Sequence, residues 1–361
     1  MISATSAISV RASCTCLLLI ALGVAAPTLA RAVEPVRADQ VSSITRAVFA
    51  DGQLWLLSDA GELSTIRPDD HERTTQAFAS PVLDLCVSAR QPQVIIDGKD
   101  GAWEIHRREA QDWPLVTSIV KQGESLLAVA CNAGKTHVLT SGRLIELGSG
   151  TSPHSVSLAG ELPRGIVTAI HDEGTSVLVS INGGEWGGGL RRIDMTTGAV
   201  VTVEQEDDSG ICSGPLNPSC DPVNGIAAVP WNAHCVAVAV GLVHMLMEGR
   251  VVEVCGSKIR TLYAKPFTQP FWASLGKRKP PPETVAFFGI AESGGTLWAV
   301  GTDGLYRIEA GGKATMLPLP AFTTIDGIDV SFDNPQLVFV MTSANQRHSL
   351  SGSVPMMVPR Q

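Results

Sequence analysis

Short apolar segments recur along the chain between polar or glycine-rich breaks, and the alternation within each has the two-residue period of a β-strand. The clearest are Leu54–Leu57, Val94–Ile96, Val138–Leu139, Val177–Val179, Val236–Val238, Leu297–Val300 and Leu337–Val340. Their first residues are 40, 44, 39, 59, 61 and 40 positions apart, so one unit recurs seven times. In several copies a turn rich in Gly or Asp leads into a further strand. Examples are Asp59-Ala60-Gly61-Glu62-Leu63, Asp100-Gly101-Ala102-Trp103, Ser141-Gly142-Arg143-Leu144 and Asp303-Gly304-Leu305-Tyr306. Such turns supply the positive φ that a tight hairpin needs. With an alternating segment before and a polar-flanked strand after, each unit reads as four short antiparallel strands.

A four-stranded unit of this length has two apolar faces and cannot bury them alone. Stacking side by side and closing into a ring buries them all. The sequence therefore predicts an all-β fold: a seven-bladed β-propeller of four-stranded antiparallel blades, one domain over residues 33–361. A β-sandwich would not need seven spaced copies, and a β-helix would repeat at a shorter period. The outermost strand of the last blade is drawn either from residues 353–359 or from residues 35–42. The stretch Leu297-Trp298-Ala299-Val300-Gly301-Thr302-Asp303-Gly304-Leu305-Tyr306-Arg307-Ile308 resembles the repeat of two-component-regulator-type propellers. The resemblance covers one blade well and the others loosely, and it implies a fold rather than an activity.

The two long steps place insertions at 206–223 and 256–284, each between the outer strand of one blade and the inner strand of the next. In a propeller those connections emerge on the same face as the hairpins between second and third strands. The longest such hairpin is Asn182-Gly183-Gly184-Glu185-Trp186-Gly187-Gly188-Gly189, so three elaborations converge near blades four to six. Trp186 stands among glycines beside Glu185, and the second insertion carries Tyr263, Phe267, Phe271 and Trp272. Aromatic platforms with a few polar groups suit a protein or glycan partner. Glu185, Trp186, Phe271 and Trp272 are accordingly the expected ligand-binding residues of a non-enzymatic binding module. The competing expectation is that Trp186 and Trp272 pack into a private mini-core of the loops.

Residues 1–32 read as a signal peptide: Arg11, an apolar run from Leu17 to Ala26, and Ala30-Arg31-Ala32 at the cleavage site. Its removal leaves 25 basic side chains against 35 acidic ones, a net −10. That balance argues against a nucleic-acid partner and against adhesion to anionic lipid. The apolar stretch from Gly225 to Met247 is broken by Pro230, Asn232, His234, Gly241 and His244, so no membrane span is expected once the leader is cleaved. The expected location is periplasmic or secreted.

Six cysteines remain after cleavage, an even count that fits disulfides in an oxidising compartment. Cys212 and Cys220 flank a short loop with two prolines and are expected to pair. Cys86, Cys131, Cys235 and Cys255 are read either as paired or as buried free thiols. No Cys-x2-Cys zinc spacing occurs, and the histidines are scattered. The acidic run Glu204-Gln205-Glu206-Asp207-Asp208 lacks the spacing of a calcium loop and reads as solvated acid, as Lys277-Arg278-Lys279 reads as a solvated basic face.

One enzymatic alternative rests on a second resemblance. Asn224-Gly225-Ile226 and Asp326-Gly327-Ile328 are similar to the inner-strand entries of gluconolactonase-like propellers. There a Glu, an Asn and an Asp hold a divalent ion in the central channel. The resemblance implies Asn224 and Asp326 as ligands of calcium or zinc in a lactonase-like hydrolase, with no residue matched to the Glu. The leading reading needs no cofactor.

Overall fold

The computed structural model describes residues 44–67, 73–132, 134–148, 153–207, 212–244, 247–267, 283–318, 328–332, 337–342 and 356–359. All belong to the compact unit Val41–Gln361. The leader read over residues 1–32 and the ring-closing alternative at 35–42 lie outside the described residues.

Among the described residues six sheets have four strands, each strand pairing antiparallel with the next in sequence. Blade 1 is β1 (Ile44–Ala50), β2 (Gln53–Ser58), β3 (Leu63–Ile66) and β4 (Arg73–Gln76). Blade 2 is β5 (Val82–Ser88), β6 (Gln91–Asp97), β7 (Ala102–Arg107) and β8 (Leu115–Val120). Blade 3 is β9 (Leu126–Asn132), β10 (Lys135–Thr140), β11 (Arg143–Leu147) and β12 (His154–Ser157). Blade 4 is β13 (Ile166–Asp172), β14 (Ser176–Asn182), β15 (Gly188–Asp194) and β16 (Val200–Val203). Blade 5 is β17 (Val223–Ala228), β18 (Val236–Val243), β19 (Met247–Cys255) and β20 (Lys258–Tyr263). After a two-stranded ribbon, β21 (Pro266–Phe267) with β22 (Glu283–Thr284), blade 6 is β23 (Phe287–Ser293), β24 (Thr296–Gly301), β25 (Gly304–Ile308) and β26 (Ala314–Pro318). The fold is an all-β propeller of four-stranded antiparallel blades, and all six second-strand segments predicted for these blades fall within second strands.

The expectation of seven such blades is corrected to six. Among the described residues the seventh repeat makes a three-stranded sheet of β27 (Ile328–Ser331), β28 (Leu337–Thr342) and β29 (Met356–Pro359). The sequence explains the difference. After Leu337–Val340 comes the polar run Ser343-Ala344-Asn345-Gln346-Arg347-His348, with no Gly/Asp turn and no alternation from which a third strand could follow directly. β28 instead pairs with β29, Val338 opposite Val358, so residues near the C-terminus serve as a third strand and not a fourth. The boundary of the second insertion also moves. Residues 258–263, read as part of 256–284, alternate as Lys-Ile-Arg-Thr-Leu-Tyr and form β20 against β19, so the elaboration begins at Ala264.

The core lies between blades, as stacking requires. One cluster of Val48, Trp55, Leu57, Leu85, Val94 and Ile96 joins blades 1 and 2. Another, with Leu139, Leu144, Val167, Val177 and Val179, joins blades 3 and 4. Tyr306 and Phe287 of blade 6 pack with Ala237, Ala239 and Val251 of blade 5. β27 lies beside both β23 and β1, bringing the last sheet against the first. Gly241 shows how close this packing is: a Cβ there would sit 2.4 Å from the backbone N and O of Phe287.

Every inner strand of the six blades carries a one-residue irregularity near its start, leaving Thr45, Leu83, Leu127, Thr168, Asn224 and Phe288 as the extra residues. A bulge kinks the strand and re-aims a side chain. In blades 4 and 5 that side chain ties one blade to the next. Thr168 Oγ1 donates to the Val223 carbonyl at 2.7 Å, and Asn224 Nδ2 donates to the Phe287 carbonyl at 2.8 Å. Val223 and Phe287 are the equivalent residues of successive inner strands, so the same tie is made twice in succession, from blade 4 to blade 5 and from blade 5 to blade 6.

Candidate functional site

The hairpin from β14 to β15 is a single 3₁₀ turn, Gly184–Trp186, closed by Gly183 N–H donating to the Gly187 carbonyl at 2.7 Å. Asn182 Oδ1 accepts from the Gly184 N–H at 2.7 Å and sets the turn. Gly187 has φ +73°, and a Cβ there would sit 2.3 Å from the Pro218 carbonyl oxygen. Only glycine lets the hairpin lie flat against the first insertion, where Gly188 N–H donates to Pro218 O and Gly189 N–H to Asp221 O, both at 2.9 Å. The glycine run therefore packs one loop onto another.

The first insertion is built to stay in place. Cys212 and Cys220 are joined by a disulfide. Gln205 and Leu216 exchange backbone hydrogen bonds, and Gln205 Oε1 accepts from Ile259 N–H at 3.1 Å. Within the run Glu204–Asp208 it is the neutral Gln205 that makes these contacts. Arg250 of β19 donates to the Pro215 carbonyl at 2.9 Å and to Asp221 Oδ2 at 2.5 Å.

The base of the second insertion rests on the same face. Thr284 Oγ1 accepts from Gly249 N–H at 2.9 Å, beside the β18–β19 hairpin. Lys265 Nζ reaches Asp303 Oδ2 at 2.6 Å and the Tyr306 hydroxyl at 2.9 Å, fastening the insertion to blade 6. Burial and the adjacent Asp303 push the Tyr306 hydroxyl far above its ordinary range. Tyr263 meets Phe287 edge to face and Tyr306 at a tilt, and Phe267 packs on the same cluster, so these two aromatics serve the core. Phe271 and Trp272 lie outside the described residues, as do Lys277-Arg278-Lys279.

Trp186 does not enter a mini-core: it is 81% exposed at the hairpin tip. Glu185 beside it meets His244 of the β18–β19 hairpin, Oε2 to Nδ1 2.9 Å, which links the hairpins of blades 4 and 5. Sequence reasoning missed three further side chains at the entrance to the inner strands, on the same face. Ile166, 74% exposed, stands directly opposite Asn182 at the base of the hairpin. Leu83 and Leu127, each 40% exposed, are the bulge residues of blades 2 and 3. Period-two alternation would count all three as strand residues; at Leu83 and Leu127 the bulge, invisible in one sequence, turns the side chain outward, while Ile166 is the exposed first residue of its strand.

Asn224 is engaged at both ends of its amide. Nδ2 donates to the carbonyls of Gly241 and Phe287 at 2.9 and 2.8 Å, and Oδ1 accepts from Asn182 Nδ2 at 2.6 Å. It acts as the inter-blade tie of blade 5; Asp326 lies outside the described residues. Two groups of three metal-type side chains occur among the described residues. In one, Cys235, Glu253 and Cys255, the sulfurs are bonded to each other and Glu253 holds Arg260 at 2.6 Å. The other is His137, Glu146 and Asp172, between blades 3 and 4. The third disulfide, Cys86–Cys131, joins blades 2 and 3. No helix among the described residues is long and apolar enough to cross a membrane.

No protein-family model matches the chain, and no curated protein matches it. Solved structures do. The extracellular domain of the hybrid two-component system BT4673 from B. thetaiotaomicron aligns with a TM-score of 0.51 at 14% identity, over 83% of this chain and 37% of that one. The RRP9 WD40 repeats align with a TM-score of 0.53 at 10% identity, over 89% and 95%. U3-55K aligns with a TM-score of 0.52 at 11% identity, over 88% and 96%. The chain spans little more than a third of the two-component protein's domain, and at these identities the likeness is one of fold: a β-propeller repeat protein.

Proposed function

We propose that this chain is a non-enzymatic, protein-binding propeller of the periplasm or the extracellular space. Its recognition surface is the face carrying the Glu185–Trp186 hairpin and the bases of both insertions. The observation that carries the reading is Trp186, almost wholly exposed yet mounted on a hairpin pinned by backbone hydrogen bonds to the first insertion. A large aromatic carried into water on a pinned backbone gains most by being covered, and the backbone beneath it has little freedom left to lose. Ile166, Leu83 and Leu127 extend the apolar surface along neighbouring blades. Aliphatic side chains of this kind match a protein surface better than a sugar ring, so a protein is preferred over a glycan. Three disulfides fit an oxidising compartment.

The test places a photo-crosslinking amino acid at position 186 and, on the opposite face, at position 258, in the producing cell. A defined protein adduct from 186, absent from 258 and lost on Ile166→Ser, supports the reading. Equal adducts from both positions, or none from 186, would overturn it. Trp186-dependent binding on a glycan array would replace the protein partner with a glycan.

A further inference from the structure

The cluster between blades 3 and 4 lies on the other face, near the hairpins that join inner to second strands. His137 of β10 stands opposite Glu146 of β11 in the sheet register, and Asp172 comes from the end of β13 in the next blade. His137 is fully buried, and neither ring nitrogen makes a well-formed hydrogen bond among the described residues. Its Nε2 nevertheless stands 3.4 Å from Glu146 Oε2 and 3.8 Å from Asp172 Oδ2. Asp172 is oriented for this: its Oδ1 accepts from the Gly174 N–H at 2.6 Å, leaving Oδ2 turned to the imidazole. Lys135 Nζ sits against the same two carboxylate oxygens, at 2.9 and 3.2 Å.

A buried imidazole with no well-formed hydrogen bond is costly, and native structures seldom leave one without reason. The separations suggest the reason. Ligand atoms about 2.0–2.1 Å from a tetrahedral zinc stand roughly 3.3–3.4 Å from one another. The imidazole nitrogen, 3.4 and 3.8 Å from the two carboxylate oxygens, is close to that spacing, and all three atoms lie within 4.8 Å of one another. An ammonium already bridges the two carboxylates, marking the point where positive charge is favoured. The donor set of imidazole plus carboxylates suits zinc better than calcium, which prefers oxygen alone.

We propose that His137, Glu146 and Asp172 form a zinc site that clasps blade 3 to blade 4, with Lys135 holding the carboxylates when zinc is absent. Three protein ligands leave a fourth position to water. His137 Nδ1 has no outer partner among the described residues, and outer-shell hydrogen bonds are worth 10- to 100-fold in affinity, so binding is of moderate strength.

The experiment titrates Zn²⁺ into the untagged chain by calorimetry, with Ca²⁺ as comparison and histidine ¹⁵N spectra as a second readout. One zinc should bind, and the His137 ring signals should shift while calcium leaves them in place. Lys135→Met removes the competing ammonium and should tighten binding at least tenfold. In that background Glu146→Gln and Asp172→Asn should each weaken it at least tenfold. The proposal is overturned if Lys135→Met takes up no zinc or if both carboxamide variants keep its affinity. Should a variant fail to fold, the unaltered chain still decides: a His137 ring that ignores saturating zinc ends the proposal.

Discussion

Arg250 of blade 5 closes on Asp221 of the first insertion, Nη2 to Oδ2 2.5 Å, with both side chains almost removed from water. Asp221 Oδ2 also accepts from the Asn217 N–H at 2.7 Å, so one carboxylate turns the insertion and ties it to the blade. Burial pushes the Asp221 carboxyl above its ordinary range in spite of the neighbouring guanidinium. Arg250→Met should therefore leave a buried charge without its partner, at a cost of about 3–5 kcal/mol near neutral pH. A carboxyl whose folded pKa is raised favours folding while it is protonated and loses that contribution as pH rises. The penalty of Arg250→Met should accordingly shrink as pH falls toward 4. Urea midpoints at pH 7.5 and 4.5 measure it, and a penalty that stays constant would show that Asp221 keeps its charge.

Trp186→Ala tests whether the exposed indole serves recognition or packing. With so little of the ring covered, its removal should change the melting temperature by no more than about 1 °C, within the range of ordinary surface substitutions. Partner affinity should fall by tenfold or more, the loss of one aromatic anchor. A drop of several degrees in a thermal scan would place Trp186 in the fold instead.

The ring was legible in the sequence because its physics is local and repetitive. Alternation, Gly/Asp turns and a step near 40 residues each follow from what one blade must bury, and most of the six four-stranded blades keep these signals, the steps of 59 and 61 marking the insertions. The seventh sheet was misread because its third strand is distant: Met356–Pro359 pairs with Leu337–Thr342 across residues that carry no pattern. The convergence of hairpin and insertion was legible from strand order alone, since the outer-to-inner connections share a face with the second hairpins. The particular contacts were not. Asn224 looks like a channel ligand in sequence, and only the bulge reveals a tie to Phe287. His137 and Glu146 are nine residues apart and Asp172 a further blade away, a juxtaposition that register creates and spacing conceals.

The three disulfides should differ in worth according to the chain each encloses. Cys86–Cys131 spans 45 residues and joins two blades, whereas Cys212–Cys220 spans 8 within one loop. Loop-closure entropy alone gives roughly 4 and 2.5 kcal/mol respectively. Replacing each pair by serines should lower the urea midpoint more for Cys86/Cys131 than for Cys212/Cys220. The second replacement should instead expose residues 212–220 to proteolysis. The reverse order of midpoints would mean that the unfolded chain already keeps blades 2 and 3 together.

Glu124, in the connection between blades 2 and 3, offers a test of acid stability. Its Oε1 takes the Nε–H of Arg143 at 2.7 Å and a second guanidinium contact, and its Oε2 accepts from the Thr140 hydroxyl at 3.0 Å. Arg143 also donates to the Val120 carbonyl at 2.8 Å, so the pair pins the outer strand of blade 2 to the third strand of blade 3. Burial by itself would raise the Glu124 carboxyl, but the hydrogen bonds from Arg143 and Thr140 outweigh it and hold the group below its ordinary range. Asp172 and Glu173 are held low against burial in the same way, Asp172 by the Gly174 N–H and then Lys135, Glu173 by Arg192 and then Ser176. A carboxyl with a depressed folded pKa contributes stability above its ordinary value, near 4.5 for Glu124, and loses it as pH falls through the folded value. The protein should therefore weaken progressively below about pH 4.5. Glu124→Gln should cost about 1.5–3 kcal/mol at pH 7, the range for hydrogen bonds to a charged group. By pH 3 the gap between variant and parent should narrow, because below about 4.5 the unfolded parent chain takes up the proton that the folded carboxyl resists, and the advantage of the depressed pKa is lost. Urea melts at both pH values check this, and a gap equally wide at pH 3 would mean that shape, and not charge, makes Glu124 the clasp between these blades.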